Sequence, residues 1–257
     1  MQNVQSVHDL MLTIARKELK ILFSSPLAWI TLALVQCLLT WVFLTHLNIF
    51  LQAQPQLIKI ANPPELSEMI IVPLFAMAAV VLLMITPLLT AGLIAEERRN
   101  HTLTFLVSAP ISVVDIVLGK FLGLMIFFST VIALAVALPV SLLAGGSLDF
   151  GLLLGNAIGL FLLSACFVSL GLYISAMSAQ PATAGAGTIG ILLGLWLIDD
   201  MADEDKFGIT RHFSLLAHYE GFNRGMIDTF DLAYFALFVL LFLTLSAWRL
   251  DKERISG

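Results

Sequence analysis

Long apolar runs separated by short polar intervals make up most of the chain. Six runs are predicted to be membrane-spanning helices: Leu27–Leu47, Met69–Leu93, Phe121–Ala144, Leu152–Met177, Ala184–Ile198 and Asp231–Trp248. Crossing the hydrocarbon takes roughly 17–25 residues of helix; the fifth run is short for this and rich in small residues. Trp29 lies near one end of the first run, where indole rings favour the interface. The second run carries Pro73 and Pro87, so a kink is expected, with neighbouring groups re-satisfying the freed carbonyls. Ahead of them, Val7–Phe23 has another period. At about 100° per residue, Asp9, Thr13, Arg16, Lys17 and Lys20 share a polar arc, with Val7, Leu10, Met11, Ile14, Ile21 and Leu22 opposite. Such a helix lies in the interface plane with its basic face toward headgroups. Glu18 is the exception, projecting from the middle of the apolar face. It is either the wetted end of the helix or a structural acid that meets the polar hairpin described next. Ser24, Ser25 and Pro26 stop the helix, because proline cannot continue it.

The composition agrees with these spans: the 257 residues are 59% hydrophobic and 12% charged, against about 25% charged in soluble domains. No cleavable signal is expected, since Asp9, Arg16, Lys17, Glu18 and Lys20 come first and no small-residue cleavage site follows the first apolar run. Cys37 and Cys166 both fall in apolar runs, which implies neither a disulfide nor a metal framework.

Among the polar intervals, Ile94–Gly123 holds Arg98, Arg99 and Lys120, the only basic residues between Lys59 and Lys206. Cytoplasmic loops collect Lys and Arg, so this segment is predicted to be a cytoplasmic hairpin. Within it Thr102–Val107 has apolar residues at helical spacing, and Pro110 ends the run. Lys120, at the start of the third span, is expected to snorkel to the headgroups. Asn48–Glu68 and the tight turn Gly145–Gly151 fall outside, Ser178–Thr183 inside, Asp199–Thr229 outside, and Arg249–Gly257 forms an inner tail. With both ends inside, nine of the thirteen Lys and Arg are cytoplasmic and eleven of the eighteen acids are outside. The two halves show no repeat.

Candidate chemistry is sparse. No span has an ionisable residue near its middle, which argues against a proton-coupled carrier. Gly119–Lys120 lacks the upstream glycine and the following Ser or Thr of a phosphate-binding loop, so ATP would have to be bound by another chain. The acids Asp199, Asp200, Asp203, Glu204 and Asp205 lack the spacing of a calcium loop. Glu96–Glu97 have no histidine partners deep in the membrane, as a metalloprotease would require. Two spans hold small residues four apart: Gly151, Gly155 and Gly159, read as packing within one chain, and Ala186, Gly190 and Gly194, where a subunit interface is an equal reading. In the outer stretch His212–Leu232, the residues Leu215, Leu216, Tyr219 and Phe222 recur at helical spacing, which suits short helices at the outer leaflet or dipping into it.

Three stretches occur together in order: ARKELKILFSSPLAW (Ala15–Trp29), EERRNHTLTFLVSAPISVVDIVLGK (Glu96–Lys120) and LLAHYEGFNRGMID (Leu215–Asp228). Together they resemble the GldF-like branch of type-2 ABC transporter permeases, named for gliding motility. One departure is Asn100–His101, where many members have glycine after a basic residue.

The resemblance implies an all-α polytopic fold over 1–257, with six spans, an interfacial helix at 7–23, a cytoplasmic coupling hairpin at 94–120 and re-entrant helices in the outer segment 199–230. It implies a permease without a catalytic site, working as an exporter in the bacterial inner membrane with both termini cytoplasmic. ATP and Mg would be bound by an ABC ATPase subunit in two copies. A second permease chain, identical or related, would complete the membrane part. An outer-facing auxiliary protein is left open, and no nucleic-acid partner is expected. The coupling residues would be Glu96, Glu97, Arg98, Arg99, Thr102, Leu103, Phe105 and Leu106. Arg16, Lys17, Glu18 and Lys20 belong to the interfacial helix, and Ala186, Gly190 and Gly194 to a subunit interface. His218, Tyr219, Phe222, Arg224, Gly225 and Asp228 belong to the outer re-entrant segment. The alternative is a membrane scaffold of a gliding-motility or envelope complex that uses the ATPase for assembly or force.

Overall fold

The structure is a computed structural model that describes residues 2–57, 66–102, 112–144, 148–202 and 214–256. Among the described residues the regular structure is all helical, with no strand. Helix α1 (Gln2–Ser24) gives way to α2 (Pro26–Leu57) at the proline. Pro26 is tolerated as the first helical residue because its missing N–H would have been unpaired there. The Ser25 hydroxyl accepts from Leu27 N at 3.3 Å, and Trp29 Nε1 donates back to Phe23 O at 2.8 Å, which fixes the corner. Then follow α3 (Leu66–Thr90), the short α4 (Ala95–Arg99), α5 (Val113–Val140), a 3-10 turn (Ser141–Ala144) and α6 (Phe150–Met177). Helices α7 (Pro181–Ala202), α8 (Leu215–Asn223) and α9 (Thr229–Ser256) complete the described chain.

Five of these helical stretches are long and apolar enough to cross a membrane: Pro26–Pro55, Leu66–Arg99, Val113–Leu143, Phe150–Met177 and Thr229–Arg254. Where a further span was expected, at Ala184–Ile198, α7 has a shorter apolar stretch, Pro181–Leu197. α3 and α6 form the centre, with 61% and 67% of their apolar windows buried, against 28% in α2 and 17% in α9. They cross closely at Gly171, where a Cβ would lie 2.3 Å from Thr90 Oγ1. The outer helices are buried on one face only. α2 buries Ala28, Leu32, Val35, Leu39 and Phe43, while Ile30, Leu34, Trp41 and Leu44 on the other faces are exposed. Apolar side chains facing outward in this way suit contact with lipid rather than water.

Several boundaries differ from the sequence reading. α2 continues ten residues past Leu47, through Asn48 and Gln52, which hydrogen-bond one turn apart at 3.2 Å. α5 starts at Val113 rather than near Phe121, with Asp115 in its first turn. Pro181 does not break a loop but opens α7, the same use of proline as at Pro26. The expected tail after Trp248 is a continuation of α9 as far as Ser256, supported by the Arg249–Glu253 pair at 3.4 Å one turn apart and by Lys252 over the Trp248 ring at 5.6 Å.

Candidate functional site

α1 lies along α5 over two glycines four residues apart. A Cβ on Gly119 would stand 2.7 Å from Ile14 Cγ2, and one on Gly123 would stand 2.9 Å from Glu18 Cβ and 3.1 Å from Ala15 O. Only glycine allows this approach, and it brings Glu18 against α5. Lys120, next to Gly119, is 2% exposed and donates to Glu18 Oε1 at 2.8 Å and to Glu97 Oε1 at 2.9 Å. The expectation that Lys120 snorkels to headgroups is thereby corrected. Because α5 begins at Val113, seven residues before it, the lysine lies roughly 10 Å inside the helix, surrounded by α1 and α4. Glu18, the exception in the amphipathic pattern, is buried and meets the hairpin through this lysine. One ammonium between two carboxylates leaves the group one negative charge in excess, and Glu97 Oε2 has no hydrogen-bond partner among the described residues.

The joint between α3 and α4 is closed from α6. Ser175 Oγ accepts from Ile94 N at 3.0 Å and Ala95 N at 3.1 Å and donates to Ala91 O at 3.0 Å. One hydroxyl thus replaces the helix bonds lost at the turn. In α4, Glu97 and Arg98 are neighbours in sequence and so point about 100° apart. Glu97 goes to Lys120. Arg98 goes the other way, donating to Ser178 O, to Ala176 O at 2.7 Å and to both Glu253 carboxylate oxygens at 2.7 and 2.8 Å. Its guanidinium satisfies carbonyls at the end of α6 that have no helical partner and ties them to α9. Glu96 and Arg99 are more than half exposed and only 4.0 Å apart, a weak pair. Arg16, Lys17 and Lys20 are exposed on α1 and form no ion pair with Glu96–Arg99 among the described residues.

The helix ends in a Schellman arrangement: Thr102 N donates to Glu97 O at 2.9 Å and His101 N to Arg98 O at 3.1 Å. His101 takes φ 57°, the left-handed position that glycine usually fills. Asn100–His101 stand where many members have glycine after a basic residue, and here histidine takes the left-handed position. Thr102 is exposed. Leu103, Phe105 and Leu106, and with them the predicted Thr102–Val107 helix, lie outside the described residues.

At the far end of the bundle, α8 packs into α6. Phe222 fills the space over Gly159, where a Cβ would come within 2.4 Å of the Phe222 Cβ, and Gly155 faces Gly225. Tyr219 Oη donates to Phe75 O at 3.1 Å, and burial raises the phenol pKa well above its usual value, keeping the group a donor. His218 Nδ1 meets Asp231 Oδ1 at 2.6 Å and stacks on Tyr234 with centroids 4.1 Å apart. Arg224 pairs with Glu220 on the surface, and Asp228 Oδ1 accepts from Phe230 N at 3.0 Å. Gly225, at φ 78°, forms the second Schellman turn, with Met226 N to Gly221 O and Gly225 N to Phe222 O, each 2.9 Å. On α7, Ala186 and Gly190 are exposed and Gly194 half-buried; a Cβ on either glycine would meet nothing within 4 Å.

Sequence reasoning passed over Gly123, Ser175 and Glu253. The Gly119–Gly123 spacing was visible as a small-residue pair. Ser175 carries no local signal, because its partners lie 80 or more residues away, and the tie from Glu253 to Arg98 spans 155 residues.

A helical bundle with a charged hairpin braced between its helices is thus the frame of this molecule, and the ABC-2 family transporter protein model matches residues 12–254. The chain belongs to the ABC-2 transporter family. As an ABC-2 permease it is a multi-pass membrane protein and the membrane subunit of an ABC transporter, in a family whose membrane subunits are generally non-catalytic and partner an ABC ATPase. No curated protein matches the chain significantly.

Proposed function

We propose that this ABC-2 permease is of the GldF-like branch and receives the movement of its ATPase at the Ala95–Thr102 hairpin. The observation that carries this reading is the opposed bracing of Glu97 and Arg98. Through Lys120, Glu97 is tied to α1 and α5; through its guanidinium, Arg98 is tied to the end of α6 and to α9. A push on α4 is therefore delivered to both sides of the bundle, and α3 leads into α4 directly. Arg99 and the segment from Thr102 through Phe105 and Leu106 supply the face that meets the ATPase. Glu97 and Arg98 act behind that face as braces. A partner shifts a conformational equilibrium only through contacts that differ between two states, and ion pairs shared between helices meet that requirement.

In this reading two permease chains meet along the open small-residue face of α7, at Ala186, Gly190 and Gly194, with two ATPase subunits below. The hairpin and both termini are cytoplasmic in the bacterial inner membrane, and the transporter is an exporter. ATP and Mg are bound by the ATPase. The test is reconstitution of permease and ATPase in liposomes. Glu97→Ala should keep the complex together and weaken transport-linked ATP hydrolysis, since one charged contact is worth about 1–3 kcal/mol. Phe105→Asp should release the ATPase. Full complex formation and full coupled hydrolysis in both variants would remove the hairpin from this role.

A further inference from the structure

Between α1, the end of α3 and α4 lies a cleft of about 500 Å³. Its polar end is lined by Lys17, Glu96 and Asn100, and its apolar end by Ile21, Leu27 and Leu88. Those three apolar side chains are each more than half exposed, on helices that read as interfacial or membrane-spanning. A cleft charged at one end and open to hydrocarbon at the other fits an amphipathic molecule rather than a soluble one.

The charges narrow the choice. Three carboxylates, on Glu18, Glu96 and Glu97, face two ammoniums, on Lys17 and Lys120. Lys120 is already engaged by Glu18 and Glu97. Lys17 has no ion-pair partner among the described residues, and Glu96 has only the distant Arg99. The Glu96 carboxylate is laid back toward the cleft, with Oε2 3.0 Å from the position a Cβ on Gly92 would take. One uncommitted cation and one uncommitted anion therefore stand in the same cleft. A headgroup carrying only negative charge would satisfy Lys17 but meet an excess of carboxylate. A quaternary ammonium has no N–H to donate.

We propose that this cleft binds one phospholipid with a primary-amine headgroup, of the phosphatidylethanolamine type. Its ammonium donates to Glu96, its phosphate accepts from Lys17, and its acyl chains leave along Ile21, Leu27 and Leu88 into the bilayer. The site belongs to the permease itself and does not rest on the coupling reading.

The experiment uses the purified full-length permease in detergent, mixed with phosphatidylethanolamine, phosphatidylglycerol or phosphatidylcholine of identical acyl chains. Native mass spectrometry reads the fraction of protein that retains one lipid. Phosphatidylethanolamine should be retained about fivefold more than either other lipid, the factor set by one solvent-exposed charged contact. Glu96→Gln and Lys17→Ala should each lower its retention by about the same factor. Gly92→Ala, which displaces the Glu96 carboxylate without removing its charge, should lower it as well. Lys20→Ala, on α1 but outside the cleft, should not. Equal retention of phosphatidylglycerol or phosphatidylcholine overturns the proposal. So does unchanged retention in both Glu96→Gln and Gly92→Ala, or a loss in Lys20→Ala as large as in Lys17→Ala.

Discussion

The two ends of the bundle are held by different means. At the hairpin end, α1, α4 and α5 meet through one lysine and two glutamates, and α4, α6 and α9 through one arginine, two carbonyls and a third glutamate. At the α8 end, the contact is a phenylalanine ring over a glycine, a tyrosine hydroxyl on a backbone carbonyl, and one histidine–aspartate pair under an aromatic stack. Packed rings admit one arrangement, because displacing them by even a methylene's width opens a void or a clash. Shared ion pairs can be broken on one helix and remade on another. The end that carries charge is suited to motion, and the end that carries packing is suited to holding α8 in place.

The largest expected effect breaks the charged end. Lys120→Met should destabilise the permease by about 3–5 kcal/mol, because it leaves the buried Glu18 and the half-buried Glu97 without their cation. The comparison is sharpened by the triple variant Glu18→Gln, Lys120→Met, Glu97→Gln. Buried ion pairs replaced together by neutral groups are often neutral or stabilising, so the triple should recover most of the melting temperature. It should nonetheless lose ATP-driven activity in the reconstituted transporter. A triple that keeps full activity would show that the charges do not serve transmission; one that stays as unstable as Lys120→Met would show that the destabilisation does not come from the uncompensated carboxylates.

Next comes the packed end. Gly159→Leu forces a side chain into the space held by Phe222, and overpacking of this kind costs about 1–3 kcal/mol. Proteolysis within 214–229 should accelerate as α8 is pushed off α6. Adding a side chain at Gly190, where a Cβ meets nothing within this chain, should leave the stability of the isolated subunit within about 0.5 kcal/mol of the original. A Gly190→Leu variant that unfolds the monomer would mean that this face of α7 is covered within the chain.

The apolar runs alone were enough to mark five of the six expected spans, because a helix that crosses hydrocarbon must be long and nearly free of charge. The reach of each helix was harder to read. α2 and α9 continue into polar sequence because side chains one turn apart pair with each other, as Asn48 does with Gln52 and Arg249 with Glu253, and hydropathy does not register such pairs. At the hairpin, Glu18 stood out as a charge on an apolar face, and Glu97 and Arg98 as part of a charged turn. Their partners were not visible. Lys120 reads as an interfacial lysine only if its helix begins near Phe121, where hydropathy puts it; α5 begins at Val113. Ser175 is an ordinary serine in an apolar helix until α6 brings it under the α3–α4 turn.

The last test concerns one motif that the two ends share. Both α4 and α8 end in a Schellman turn, with His101 at φ 57° in one and Gly225 at φ 78° in the other. A left-handed conformation costs an ordinary L-residue about 1–2 kcal/mol, whereas glycine adopts it freely but loses about 0.5–1 kcal/mol more entropy on folding. Gly225→Ala should therefore destabilise by about 1–2 kcal/mol, with its new Cβ also only 3.2 Å from Leu152 Cδ1. His101→Gly should go the other way and stabilise by about 0.5 kcal/mol. Amide exchange reads each turn directly, since Met226 N and Thr102 N close the two motifs. Exchange should speed up at Met226 in the first variant and slow at Thr102 in the second. If His101→Gly instead speeds exchange at Thr102, the imidazole contributes a contact to the hairpin that outweighs its backbone strain, and the two turns are alike in geometry but not in what holds them.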